Sequence, residues 1–486
     1  MGNSRALEVI VVLLLIAGAV IFQFFSKPSE SSEAGTDIKA DVNVGIDPPV
    51  EEKVEKLAEP LKAAIESEKV KEAYRSIPLP KFDQYISSLG EKPNWDELNA
   101  YQRTLTRDEF MQLLSDVYTV SDSWKELIHV RRDRVEIRKS TERPRDGVFK
   151  LFFKSANDRR ERPIKRYWRP ASELTKLDKV NAEKPLDGVV IAIDPGHIGG
   201  DEWARIEERD FALAGDNPVR EGEITLKVAM MLMPELEELG AVVSLVRESL
   251  EPVNHYRPED YRERAVVQLK ASGKIVSEAT VAELSEKLFY RTGEIIERAK
   301  LINRAIKPDI VLCLHFNATN WGAEGEDKVL ADGSHLHLIL HGAYTDYEVR
   351  LDDERFAMIK KIVTKSHEEE AAISNAVAAS SAKNMQLPPY LYEPNSNRAL
   401  KVNGNPYLWA RNLLANRAYD CPVVYMEPYV MNSKFDYARL QLGDYDGEKE
   451  VGGEMRISIF REYVKSLTEG LSEYYSAARI QENGEK

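Results

Sequence analysis

The sequence predicts an α/β fold: a mostly parallel, twisted sheet with helices on both faces, preceded by a membrane anchor, a flexible tether and a small α+β module. Three observations lead there. From Gly188 onward short apolar runs alternate with stretches of helical periodicity, as when strands buried on both faces are joined by crossover helices. Between residues 78 and 168 a capped helix pattern is followed by two brief strand-like runs. Ahead of both lies an uncharged apolar run of 18 residues, 9–26, close to the length that crosses a bilayer.

That run makes residues 1–27 a single membrane anchor. An Ala17-Gly18-Ala19 triplet offers a cleavage site, but the apolar stretch continues through Val20, Ile21, Phe22, Phe24 and Phe25, so an uncleaved anchor is expected. Arg5 before the run and acidic sequence after it favour a cytoplasmic N-terminus with the body exported. The expected location is the cytoplasmic membrane, single-pass, with the folded part on its outer side. Residues 28–77 begin as a Pro-, Ser-, Glu- and Asp-rich tether, and Val54, Leu57, Leu61 and Ile65 add a helical stretch.

In the module at 78–168, Thr106 and Glu109 form a capping box, with Phe110, Leu113, Leu114 and Val117 behind it at helical spacing. Strands are expected near 135–137 and 148–153. The module carries no recognisable chemistry and its role stays open. The larger domain, 185–478, opens with a buried strand at 188–194 and a helix bearing Ile224, Val228, Met231, Leu232 and Leu239. Strands at 241–246, 309–316, 336–341 and 422–427 follow, with helices at 295–306, 352–380 and 454–476.

Composition excludes more than it selects. A net charge of -14 and an isoelectric point near 5.3 oppose nucleic-acid binding, which needs clustered Lys and Arg. The two cysteines, Cys313 and Cys421, sit in apolar runs and are expected to be buried free thiols.

In open α/β sheets functional groups gather beyond the carboxyl ends of the strands. The first strand leads into Asp194-Pro195-Gly196-His197, the third ends in His315-Phe316-Asn317, and the run at 422–426 ends in Glu427. Glu221 opens the first helix, in competition with Glu207, Glu208 and Glu223, which read as solvated carboxylates. Two imidazoles and a carboxylate from separate element ends can surround one divalent ion and leave a position open for water. Glu427 is then placed to take and return a proton. His335, His337 and His341 share a strand face by parity, which raises a second metal site as an alternative to a row of strand polar positions; the latter is preferred.

At these residues the sequence resembles the N-acetylmuramoyl-L-alanine amidase family, in its type 3 catalytic domain. The likeness spans about 188–475: IAIDPGHIGG at 191–200, EGEITLKVAMML at 221–232, CLHFNA at 313–318 and VVYMEPYVMNS at 423–433. It implies Zn2+ held by His197, Glu221 and His315, with Glu427 as the catalytic carboxylate. The implied reaction is hydrolysis of the amide between N-acetylmuramic acid and the first L-alanine of the stem peptide. Expected partners are peptidoglycan, the membrane through the anchor, and an activator protein; nucleic acid is excluded. Departures from the pattern are Gly222, where the family has Lys, Pro428-Tyr429 after the glutamate, and a long, charged loop at 201–220. Two rival readings are a catalytically silent peptidoglycan-binding scaffold, which would have lost a ligand, and a zinc peptidase acting on another amide.

Residues 249–291 exceed ordinary connections between elements and carry Val276, Val281, Leu284 and Leu288 at near-helical spacing. This insert is either a lid over the metal or an extension of the sheet's cover.

Overall fold

The computed structural model describes residues 78–156, 158, 162–176, 183–207, 209–319, 328–393 and 396–479. The expected anchor at 1–27, the tether and its helical stretch lie outside the described residues, as does Glu208. No helix among the described residues is long and apolar enough to cross a membrane.

The module folds as an antiparallel meander of β1 (Ile128–Val130), β2 (Arg134–Arg138) and β3 (Val148–Phe152). Helix α1 (Arg107–Leu113) starts at the expected capping box: Glu109 accepts from the Thr106 N–H at 2.6 Å and Thr106 Oγ1 from the Glu109 N–H at 3.2 Å, an arrangement worth about 1 kcal/mol. Phe110, Leu114, Ile137 and Leu151 are fully buried, in a core that runs on without a break into the sheet that follows.

Residues 190–428 build one seven-stranded sheet. Its strands are β4 (Val190–Pro195), β5 (Val242–Leu245), β6 (Ile310–Leu314), β7 (Leu336–His341), β8 (Leu400–Lys401), β9 (Leu408–Arg411) and β10 (Val423–Pro428), in the spatial order β8-β9-β7-β10-β6-β4-β5. Strands β5, β4, β6 and β10 are mutually parallel. Strand β7 runs antiparallel to β10, β9 runs parallel to β7, and β8 closes the edge antiparallel. The sheet is therefore mixed beyond β10, and two short strands, the edge strand β8 and its neighbour β9, carry too little apolar alternation to be seen in the sequence.

Register assigns the two faces. Asp194 and Tyr425 both stand opposite Cys313, Tyr425 opposite Ile339, Glu427 opposite His337, Ile339 opposite Trp409, and His341 opposite Arg411. Because side chains alternate along a strand, all of these share one face. The other face buries Ile191, Ile193, Leu312, Leu338, Val424 and Met426. It lies under α2 (Glu221–Glu238), α3 (Ser366–Met385) and α4 (Ile459–Arg479), which contribute Val228, Leu232, Val377, Leu467 and Leu471. Helices α3 and α4 approach so closely that a Cβ on Gly470 would lie 2.6 Å from the Val377 Cα. The first face is covered by a helix beginning at Glu294, through Ala299 and Ile302, and by the short helix Leu414–Ala418 through Ala415. Cover on both faces is as expected.

Several expected elements shift by a few residues. The stretch at 352–380 is two helices, broken where Lys365 adopts a left-handed φ of 57°, and the last helix starts at Ile459 because Glu454–Ile457 pairs with Glu448–Val451 as a ribbon. Cys313 and Cys421 are free and buried.

Candidate metal centre

The first loop is shaped by what it must pack against. His197 holds a left-handed φ of 58°, an uncommon state for a residue with a side chain. It is kept there by Arg298, whose guanidinium donates to the His197 carbonyl at 2.7 Å, to the Pro195 carbonyl at 2.7 Å and to Asp194 at 2.8 Å. Asp194 also accepts from the Tyr419 hydroxyl at 2.6 Å. A Cβ on Gly196 would fall 2.3 Å from the His315 ring, so the imidazole rests on bare backbone. Gly222 is equally constrained: its Cβ would lie 2.3 Å from the Gly199 nitrogen. The departure from Lys at Gly222 is thus a packing requirement of this loop.

These contacts bring together three groups that are far apart in the chain. His197 Nε2 lies 3.1 Å from Glu221 Oε2, and His315 Nδ1 lies 3.1 Å from Glu221 Oε1. One donor atom from each of His197, Glu221 and His315 falls within 4.8 Å of the others, the only such group of three among the described residues. Two donors each about 2 Å from one ion stand roughly 3 Å apart, so the spacing and the two-nitrogen, one-oxygen chemistry fit a divalent metal. Glu221 is buried and also accepts the Phe316 N–H at 3.1 Å and meets Arg209 Nε at 3.2 Å. Burial opposes its charge, yet His197 and His315 hold its carboxyl well below the usual range. Burial also disfavours the His197 cation, but Glu221 and Glu207 together push this imidazole up to about 9. The His315 ring is stacked on Tyr425, with centroids 4.6 Å apart.

Glu427 stands half-buried at the end of β10 on this face. Burial pushes its carboxyl pKa up, the His315 charge opposes that shift, and the Glu221 charge adds to it. With the three donor residues it lines a cleft of about 790 Å³.

Glu207 corrects the sequence reading. It is not a solvated loop carboxylate: it is buried, accepts the Ile198 N–H at 3.0 Å and stands 3.5 Å from His197 Nδ1, the ring nitrogen turned away from Glu221. Arg298 was hidden in a helical pattern, since nothing in a sequence marks an arginine that will be folded inward onto a loop about 100 residues earlier. The row His335, His337, His341 forms no metal group among the described residues. His341 Nε2 is instead 2.8 Å from the Tyr344 hydroxyl, and His337 Nε2 3.4 Å from that of Tyr392. The insert carries helices Arg262–Ala271 and Glu278–Lys287, the first reaching the N-terminal module where Arg264 donates to the Pro80 carbonyl. Of residues 249–291 only Tyr290 and Arg291 line the cleft.

A family model described as N-acetylmuramoyl-L-alanine amidase matches residues 191–451, more than half of the chain. The chain belongs to that family. Its activity is accordingly hydrolysis of the amide between N-acetylmuramic acid and L-alanine, with peptidoglycan as substrate. No curated protein sequence matches the chain. Among solved structures, the amidase Ami1 of Mycobacterium abscessus is similar at 14% identity, covering 59% of this chain and 99% of its own, with a TM-score of 0.30. The CwlD amidase of Clostridioides difficile, solved in complex with the GerS lipoprotein, is similar at 14% identity over 59% of this chain and 98% of its own, with a TM-score of 0.32. The amidase AmiC2 of Nostoc punctiforme is similar at 13% identity over 60% and 96%, with a TM-score of 0.29. The assignment of this amidase rests on the family match alone.

Proposed function

We propose that this amidase is a zinc enzyme anchored in the cytoplasmic membrane by residues 1–27, working on cell-wall peptidoglycan from the outer side, with His197, Glu221 and His315 as metal ligands and Glu427 as the catalytic carboxylate. The observation that carries the metal is the meeting of two imidazoles around one buried carboxylate, each 3.1 Å from it. Zinc there would supply Lewis acidity toward the scissile carbonyl and toward water. The protein's own groups do the rest. Glu427 accepts a proton from the attacking water and returns it to the alanine amine as the amide breaks; burial raises its pKa, which makes the carboxylate a stronger base than an exposed one. Glu221 stays ionised between the imidazoles, and Glu207 holds the far nitrogen of His197, as carboxylates do behind metal-bound histidines.

A silent scaffold would need one of these four positions lost, and none is. An activator protein belongs to the proposal as a partner acting at the insert, whose Tyr290 and Arg291 form one wall of the cleft. The test is release of unsubstituted stem peptides from purified sacculi by the full chain, with a chelator and after zinc is restored. Activity that a chelator leaves untouched would remove the metal from the reading, and release of internal peptide fragments would make the enzyme a peptidase instead.

A further inference from the structure

The charged groups lining the cleft are almost all matched. Arg298 is shared between Asp194 and Glu294, Glu207 and Glu221 face His197, and Arg209 meets Glu221. Two guanidiniums are left over. Arg411, at the end of β9, and Arg291, at the end of the insert, line the same cleft, and neither has a carboxylate partner among the described residues. Arg411 is half-buried and donates to the Tyr392 hydroxyl at 3.2 Å, lying 5.5 Å from that ring's centroid. Among the described residues its hydrogen-bond partner is a neutral phenol, and a partly buried cation so held is costly unless an anion arrives to meet it.

Geometry says where that anion would be. Glu427 and Arg411 share one face, and between them stand His337, directly across from Glu427, and Tyr392, whose hydroxyl is 3.4 Å from His337 Nε2. Arg411 stands opposite His341, four residues along β7 from His337, but its side chain reaches back to the Tyr392 hydroxyl at 3.2 Å, so the path from Glu427 past His337 and Tyr392 to the guanidinium is on the order of a few extended residues. A substrate with its scissile amide at Glu427 presents at that distance the stem-peptide residue that follows the first alanine.

We infer that Arg411, braced by Tyr392 and assisted by Arg291 of the same cleft, is a specificity subsite for a carboxylate on the stem-peptide residue next to the first L-alanine, so that this amidase prefers stem peptides in which that group is free over those in which it is a carboxamide. The inference rests on the amidase reading of the same cleft. A guanidinium forms a bidentate ion pair with a carboxylate, but with a carboxamide it has only one neutral oxygen to donate to and no opposite charge to meet. Lysine would keep the charge and lose the fork.

The experiment uses the full chain and two synthetic N-acetylmuramoyl-peptides that differ only in this group, carboxylate or carboxamide. Wild type is expected to turn over both, with a KM roughly tenfold lower for the carboxylate form. Arg411→Ala should remove that preference by raising KM for the carboxylate form alone, with kcat and zinc content unchanged; Arg411→Lys should restore part of it, and Arg291→Ala should produce a smaller loss in the same direction. Calorimetric titration of the released dipeptide and its carboxamide gives the same comparison without turnover. Equal KM for both substrates in wild type, or an equal rise for both in Arg411→Ala, overturns the subsite while leaving the amidase intact. If Arg411→Ala fails to fold, Arg411→Lys and Arg291→Ala decide by the same ratio. Failure of wild type on both substrates and on sacculi would overturn the amidase reading instead.

Discussion

Two groups of histidines occupy the same face of one sheet, and only one of them encloses a carboxylate. At the ends of β4 and β6, His197 and His315 meet around Glu221, and His197 is pushed up to about 9 against the opposing effect of its burial. On β7, His337 is driven down to about 3 by burial first, with His335 and Arg411 adding to the shift. His341 falls well below the imidazole range for the same first reason, with Lys361, Arg417 and His367 adding to it. Residue type, sheet and face are shared; the acid is what differs. A cluster of histidines becomes a cation site when an ionised group is folded in among them, and otherwise remains a set of neutral polar side chains paired with tyrosines.

The contrast breaks most sharply on metal content. His197→Ala and His315→Ala should each lose the bound zinc and all activity, since two protein ligands rarely retain a catalytic metal, while His337→Gln should keep about one ion per chain. Metal analysis after mild dialysis decides this, and zinc at full occupancy in either alanine variant would refute the site. Glu427 stands between the two groups, facing His337 across the strand pair and feeling the charge of His315. Glu427→Gln should retain zinc and fold yet lower kcat by about 10²–10⁴-fold, the usual range for a lost acid–base group; turnover within a few-fold of wild type would take this carboxylate out of the mechanism.

Glu207 sharpens the comparison further, because among the described residues His337 and His341 turn a ring nitrogen to a tyrosine hydroxyl and not to an acid. Glu207→Gln preserves the acceptor for the Ile198 N–H but removes the charge facing His197 Nδ1. Zinc affinity, read by competition with a chelator, should fall by roughly 10–100-fold, and an unchanged affinity would reduce Glu207 to a loop brace. The smallest effect is on stability. The folded pKa of His337 lies below the unfolded value of about 6.5, so its contribution is complete above that pH. It is lost as pH falls from about 6.5 toward about 3, where the unfolded chain binds a proton that the folded chain refuses. Urea unfolding of wild type should lose up to about 1.4 kcal/mol per pH unit across that window from this residue, and His337→Gln should flatten the slope by up to that amount. Equal slopes in the two proteins would show that His337 takes up its proton without unfolding.

What the sequence determined by itself is the part governed by local chemistry. Alternating runs give the strands β4, β6 and β10, the Thr106–Glu109 pair caps its helix, and His197, Glu221, His315 and Glu427 stand at element ends where an α/β sheet collects its reactive groups. The motif order that resembles the amidases adds the family, which the match over 191–451 establishes. Tertiary structure decided the rest, because those features depend on neighbours distant in the chain. The antiparallel direction of β7 follows from its docking beside β10, and its apolar run would read the same either way. Glu207 looks like any loop acid until the loop closes over His197, and Gly222 like a lost lysine until Gly199 packs against it. Arg298 and Arg411 are one residue type in one sequence. The first is matched by Asp194 and Glu294, and the second, among the described residues, faces the cleft with a phenol and no carboxylate; pairing is a property of space, and linear order does not encode it.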